Sequence, residues 1–106
     1  MKIRGFRIEL EEIEHVLRAV PGVAESLVIP VEGLRRERQL LAVVEAEDGL
    51  EPSFIRRELA DRLPSWMVPQ HLRIVDSIPL SGDGKIDRIA VSNRFRSEAA
   101  LIQSSS

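Results

Sequence analysis

Lys85 is the residue of this 106-residue chain best suited to chemistry, because it stands in Gly82-Asp83-Gly84-Lys85-Ile86-Asp87-Arg88, a glycine-framed turn just ahead of an expected helix start. Glycines allow backbone angles and close approaches that a Cβ would resist, so such a loop can lie against a ligand. The lysine at its tip is a compact cation on a flexible stem. That suits a reaction in which negative charge builds on phosphate or carboxylate oxygens. Taken alone, the heptapeptide reads first as a solvated hairpin loop, since glycine-rich turns with a lysine are common on surfaces. It is not a P-loop, which needs Gly five residues before the Gly-Lys pair and Ser or Thr after it; Pro79 and Ile86 occupy those places.

The rest of the chain offers few competing sites. There is no cysteine, hence no disulfide framework and no thiolate metal site, which fits a reducing compartment. The only histidines, His15 and His71, are far apart and lack an i, i+4 partner, so surface or half-buried structural roles are expected and no metal site. Arg35, Arg36 and Arg38 are interleaved with Glu32 and Glu37, the pattern of a solvated loop rather than a phosphate site. Lys plus Arg total 15 against 17 Asp plus Glu, a formal charge of -2, without the basic excess of a nucleic-acid binder. No apolar run reaches the roughly 18 residues of a membrane span, and no signal-peptide apolar region opens the chain. The expected compartment is the cytoplasm.

The elements that must position Lys85 can be read from periodicity. Residues 2–9 read as short extended segments around Gly5. From Glu9 to Val20, Leu10, Ile13, Val16, Leu17 and Val20 share one helical face, while Glu11, Glu12 and Glu14 crowd the first turns as complements to the helix dipole, and Pro21-Gly22 ends the helix. Residues 23–31 and 39–47 read as an antiparallel strand pair joined by the polar loop 32–38. Pro52 can open a second helix carrying Ile55, Leu59 and Leu63 inward and a Glu58–Arg62 pair outward. Pro64 stops it, and the proline-bracketed segment 63–69 is expected to be extended or turned, with Trp66 and its apolar neighbours in the core. A third strand follows over 71–78, then the Lys85 loop, then a short helix capped by Asp87 and reaching about Phe95. Residues 96–106 read as a linker or disordered tail. The expected architecture is α+β: a central sheet of about three strands packed by two amphipathic helices, with an N-terminal hairpin and a short C-terminal helix, all in one small domain.

Three segments, in order, resemble the C-terminal end of adenylate-forming enzymes, the superfamily of nonribosomal peptide synthetase adenylation domains, acyl-CoA synthetases and luciferases. Lys2-Ile3-Arg4-Gly5-Phe6-Arg7-Ile8-Glu9-Leu10 with Glu12-Ile13-Glu14 resembles the motif beside the hinge of the mobile subdomain. Leu63-Pro64-Ser65-Trp66-Met67-Val68-Pro69 is similar to the family's LPxYMVP segment, and Gly84-Lys85-Ile86-Asp87-Arg88 to its terminal NGKxDR motif. Together they cover residues 2 to about 95. The wording is closest to the amino-acid-activating branch. Two departures are small: Gly82-Asp83 stands where Pro-Asn is common, and Trp66 where tyrosine is usual.

The resemblance implies a two-step reaction. ATP and a carboxylic acid give an acyl-adenylate and pyrophosphate, and the acyl group then passes to a pantetheine thiol. It implies that Lys85 is the catalytic lysine of the first step, on a loop whose Gly84 approaches the nucleotide. It implies that Gly5 lies beside the phosphopantetheine arm after the subdomain rotates, and that Arg7 then faces the nucleotide or phosphate side. Implied partners are the N-terminal adenylation subdomain and a peptidyl carrier protein. ATP and its Mg would be bound mainly by the N-terminal subdomain, and the chain alone is expected to be inactive. Because Met1 directly precedes the hinge motif, an excised piece is expected rather than a natural stand-alone lid. Two other readings stay open: a stand-alone module docking on a carrier protein or separate N-terminal partner, and the lid of an acyl-CoA synthetase. The end use implied by the branch is antibiotic or siderophore biosynthesis.

Overall fold

The computed structural model describes residues 2–3, 6–32 and 35–95. Gly5 and the expected tail 96–106 therefore lie outside the described residues. The chain opens with β1 (Lys2–Ile3) and β2 (Phe6–Arg7), paired antiparallel with Ile3 opposite Phe6. Helix α1 (Leu10–Arg18) follows, then β3 (Val23–Glu32), β4 (Arg38–Ala46), α2 (Pro52–Arg62), a 3-10 turn (Ser65–Met67) and β5 (His71–Val75). A third helix, α3, covers residues 88–95. This is the α+β arrangement expected from the periodicity, with boundaries shifted by one to three residues.

The three-stranded sheet has the order β3-β4-β5. Strands β3 and β4 form an antiparallel pair with Leu27 opposite Val43, and β5 joins β4 in parallel with Val43 opposite Arg73. A parallel partner requires the chain to return to the starting end of the sheet, and α2 supplies that crossover. Sheet burial explains the sequence pattern. Leu40, Leu41, Ala42, Val43 and Val44 are all buried, because both faces of β4 are covered.

One face carries the larger core. Ile13 and Leu17 of α1 and Ile55 and Leu59 of α2 close on Val28, Leu40, Ala42 and Val44. Burying a side chain of this size stabilises by about 1.5–3 kcal/mol. Helix α2 begins with proline at its first position and ends at Leu63, whose extended backbone leads into Pro64. On the opposite face Leu27, Ile29, Leu41 and Val43 pack with Ile78 and with Val91 and Phe95 of α3. The two amphipathic helices expected around the sheet thus share one face, and the loop-and-helix segment that carries Lys85 covers the other.

Trp66 differs from its expected place in the core, being 37% exposed, while Leu63 and Met67 are buried. A 3-10 turn rotates by about 120° per residue. Adjacent residues such as Trp66 and Met67 therefore point apart, and only one can face inward.

Candidate functional site

The Lys85 loop is closed by its own backbone and side chains. Leu80 bridges Ile86 in antiparallel fashion, the Ser81 N–H donates to the Lys85 carbonyl at 2.7 Å, and the Asp87 N–H donates to the Pro79 carbonyl at 3.0 Å. At the tip, the Gly84 N–H donates to the Ser81 carbonyl at 3.0 Å. The Asp83 carboxylate accepts from the Ser81 hydroxyl and from the Lys85 N–H, the latter at 3.2 Å. These bonds, the Ser81 hydroxyl first, hold the Asp83 carboxyl below its usual range. Gly84 has φ +82°, a conformation that side chains with a Cβ rarely adopt, and no heavy atom lies within 4 Å of where its Cβ would stand. The turn therefore needs this glycine for its backbone, and it leaves open space beside it.

That arrangement decides what the loop can offer an anion. The amides of Gly84 and Lys85 are already used internally. What remains is the Lys85 ammonium: the residue is exposed, and its side chain has no hydrogen-bond or ion-pair partner among the described residues. A free ammonium on a closed loop can reach an outside carboxylate or phosphate without first breaking an internal contact.

The segment after the loop is anchored twice. Asp87 caps α3, its carboxylate accepting from the Ala90 N–H at 3.0 Å, as its position ahead of the helix predicts. Arg88 forks onto Glu14 of α1, with Nη2 to Oε1 at 2.7 Å and Nη1 to Oε2 at 3.1 Å. These bonds raise the Arg88 pKa, so the guanidinium stays charged. Glu14 is 3% exposed, and its Oε2 also accepts from the Val28 N–H of β3 at 2.8 Å. Glu14, grouped in the sequence with Glu11 and Glu12 as a complement to the helix dipole, is thus buried and bonded to two other elements. Its spacing from Leu10 and Leu17, four before and three after, places it on the apolar face of α1, and that spacing was the available signal.

Arg7, on β2, is well exposed at 82% and pairs with Glu9 at 3.2 Å. No observation brings it together with Lys85, and Gly5 lies outside the described residues. Among the described residues no group of His, Cys, Asp and Glu could hold a metal ion, and no helix is long and apolar enough to cross a membrane. His15 is exposed, and His71 is half-buried with its Nε2 2.8 Å from Gln39 Oε1.

The profile of the AMP-binding enzyme C-terminal domain family matches residues 12–85. A linear gramicidin synthase of Brevibacillus parabrevis is 44% identical over 105 residues, which is 95% of this chain and 2% of that protein. D-alanine--D-alanyl carrier protein ligase of Bacillus anthracis is 39% identical over 94 residues, 83% of this chain and 19% of the ligase. Among solved structures, Klebsiella oxytoca NpsA in complex with 3-hydroxyanthranilyl-AMSN superposes with a TM-score of 0.82 at 34% identity, over 90% of this chain and 19% of that one. The chain thus spans less than a fifth of each of these relatives.

Proposed function

Because the chain belongs to the AMP-binding enzyme C-terminal domain family, we propose that it is the mobile C-terminal subdomain of an amino-acid-activating adenylation enzyme. Its relatives include a gramicidin synthase and a carrier protein ligase. In this reading the substrates are ATP and an amino acid, and the acceptor is the phosphopantetheine thiol of a carrier protein. The partners are an N-terminal adenylation subdomain and that carrier, and the work is done in the cytoplasm. ATP, its Mg and the amino-acid pocket belong to the part of the enzyme outside this chain.

Lys85 acts in the first half-reaction. The amino-acid carboxylate attacks the α-phosphorus of ATP, the bond to the bridging oxygen breaks, and pyrophosphate leaves. The Lys85 ammonium contacts the carboxylate and the nucleotide oxygens, holding them in line and stabilising the charge that develops there. Gly84 keeps the loop turned so that this ammonium points outward. In the second half-reaction the pantetheine thiol attacks the acyl carbon and AMP leaves. Gly5 then borders the thiol's path, and Arg7 faces the phosphate side.

The observation that carries this reading is the exposed Lys85 ammonium, unpaired among the described residues, on a loop closed by its own hydrogen bonds. In the full-length enzyme, Lys85→Ala should lower ATP–pyrophosphate exchange by at least ~10²-fold, the scale for losing one preorganised charge-stabilising donor. Transfer from a supplied acyl-adenylate should be nearly unchanged. Gly5→Leu should give the converse pattern, and Lys85→Ala with normal exchange but slow transfer would reverse the assignment.

A further inference from the structure

Glu14 is a buried charge that the proposed reaction does not use. Its carboxylate, 3% exposed, is filled by three donors: the Val28 N–H and both terminal nitrogens of Arg88. The Glu14 carbonyl takes a fourth, from the Ser26 hydroxyl at 2.8 Å. Strand β3 is an edge of its sheet, and Val28 is where that edge turns its N–H to α1. Satisfying one edge amide needs only a neutral acceptor. Burying a carboxylate is costly unless a cation compensates it. The feature that the ion pair adds is the two-point fork, which fixes the orientation of the guanidinium as well as its distance.

Arg88 stands three residues after Lys85, and the residues between them leave little slack. Ile86 is bridged to Leu80 and packs on the second core, and the Asp87 amide and carboxylate are both bonded. A shift at Arg88 is therefore passed to Lys85. Glu14 lies on the helix of the larger core, so the fork ties the loop segment on one face of the sheet to the scaffold of the other.

We propose that Glu14 is a positioning residue for Lys85: through its fork with Arg88 it holds the start of α3, and with it the Lys85 loop, in register for adenylate formation. The inference rests on the assignment of Lys85 given above.

The test uses the full-length enzyme with four variants, Glu14→Gln, Arg88→Gln, Lys85→Ala and the Glu14→Gln/Lys85→Ala double variant. Pyrophosphate exchange and transfer from a supplied acyl-adenylate are measured for each. Glu14→Gln and Arg88→Gln should each slow exchange by roughly 10- to 10²-fold, the penalty of a reacting group displaced by about 1 Å. Transfer should stay within about 2-fold of the unaltered enzyme, because a group acting only through Lys85 has no part in that step. On top of Lys85→Ala, Glu14→Gln should cost less than about 2-fold, the non-additivity expected of residues that act as one unit. Glu14→Gln removes the buried charge, keeps an amide oxygen that can accept from Val28 and leaves Arg88 half-exposed to water, so it carries the test even if Arg88→Gln, which strands the buried carboxylate without its cation, folds poorly. Equal losses in both half-reactions, or a full Glu14→Gln penalty in the Lys85→Ala background, would overturn the proposal in favour of a purely structural ion pair. A Lys85→Ala variant with normal exchange would instead overturn the assignment of Lys85 itself. A defective Lys85→Ala beside fully active Glu14→Gln and Arg88→Gln would overturn the positioning role alone.

Discussion

On one face of the β3-β4-β5 sheet, two regular helices present Ile13, Leu17, Ile55 and Leu59 to the strands. On the other, the cover is Ile78 from an irregular segment and Val91 and Phe95 from α3, with Ile86 of the Lys85 loop at its margin. The first face holds the fold together. The second holds a loop, and its smaller set of apolar anchors is supplemented by polar ones: the Asp87 cap and the Glu14–Arg88 fork. In the role proposed for it, the Lys85 cation must be exposed to meet its substrate, so its loop cannot be secured by burying the lysine. The difference between the faces shows the alternative, in which the residues around the lysine are anchored and the lysine is left free.

If the comparison is right, the largest stability loss belongs to the first face. Leu17→Ala removes a fully buried side chain from the α1 contact with the sheet and should cost about 3 kcal/mol, within the usual range for such truncations. Chemical denaturation of the chain should show one cooperative transition moved to lower denaturant. On the second face, Val91→Ala should cost about 2 kcal/mol for the two methyls lost. Its effect should be local, with amide exchange accelerated at Ala90 and Val91 far more than at Leu41 and Val43, because segments held by fewer anchors open separately. Equal acceleration at all four amides would show that the two faces form a single cooperative unit and would break the comparison.

The loop itself sharpens it further. Gly84→Ala should cost about 1 kcal/mol from backbone strain alone, since φ is +82° and no atom stands near the added methyl. Gly82→Ala meets open space without a positive φ, and should be neutral or stabilising by about 0.5 kcal/mol through the unfolded state. Thermal unfolding of the two variants should therefore shift in different directions or by clearly different amounts. Equal losses would mean that the turn's conformation is not what requires glycine.

Much of this was legible in the sequence because it rests on local rules. The spacing of Leu10, Ile13 and Leu17 marks α1, Pro52 and Pro64 bracket α2, and Asp87 precedes a helix that it does cap. The glycine-framed Lys85 loop is equally visible, though the role proposed for it comes from a resemblance and not from periodicity. What stays hidden depends on partners distant in sequence. The spacing of Glu14 puts it on the apolar face of α1, but what fills its carboxylate there is not legible until Val28 and Arg88, 14 and 74 residues away, are seen to meet it. The shared face of α1 and α2 is likewise a matter of topology, since each helix's stripe says that it packs but not on which side of the sheet. Trp66 departs from the expected burial because its apolar character says nothing about the rotation of a three-residue turn.

The smallest expected effect concerns pH and lies away from the Lys85 loop, at the start of β5. Burial, and after it the Arg56 guanidinium, lower the His71 pKa from its ordinary value of 6.5. Arg56 is held there by the carbonyls of Pro69 and Gln70, at 3.3 and 3.2 Å. A base whose folded-state pKa is depressed binds its proton more readily when unfolded, so stability falls as pH falls. The contribution of neutral His71 is fully present above pH 6.5 and is lost as pH drops through the lower folded value. His71→Gln removes that titration. Thermal unfolding of the chain at pH 7.5 and pH 5.5 should show the wild-type midpoint falling slightly more than the variant's. A variant that loses as much as the wild type would place the acid sensitivity in other groups. Because the ring of His71 bonds to Gln39 of β4 and not to the Lys85 segment, the effect should appear in unfolding and leave the exchange of the Ala90 and Val91 amides the same in the wild type and in His71→Gln at each pH.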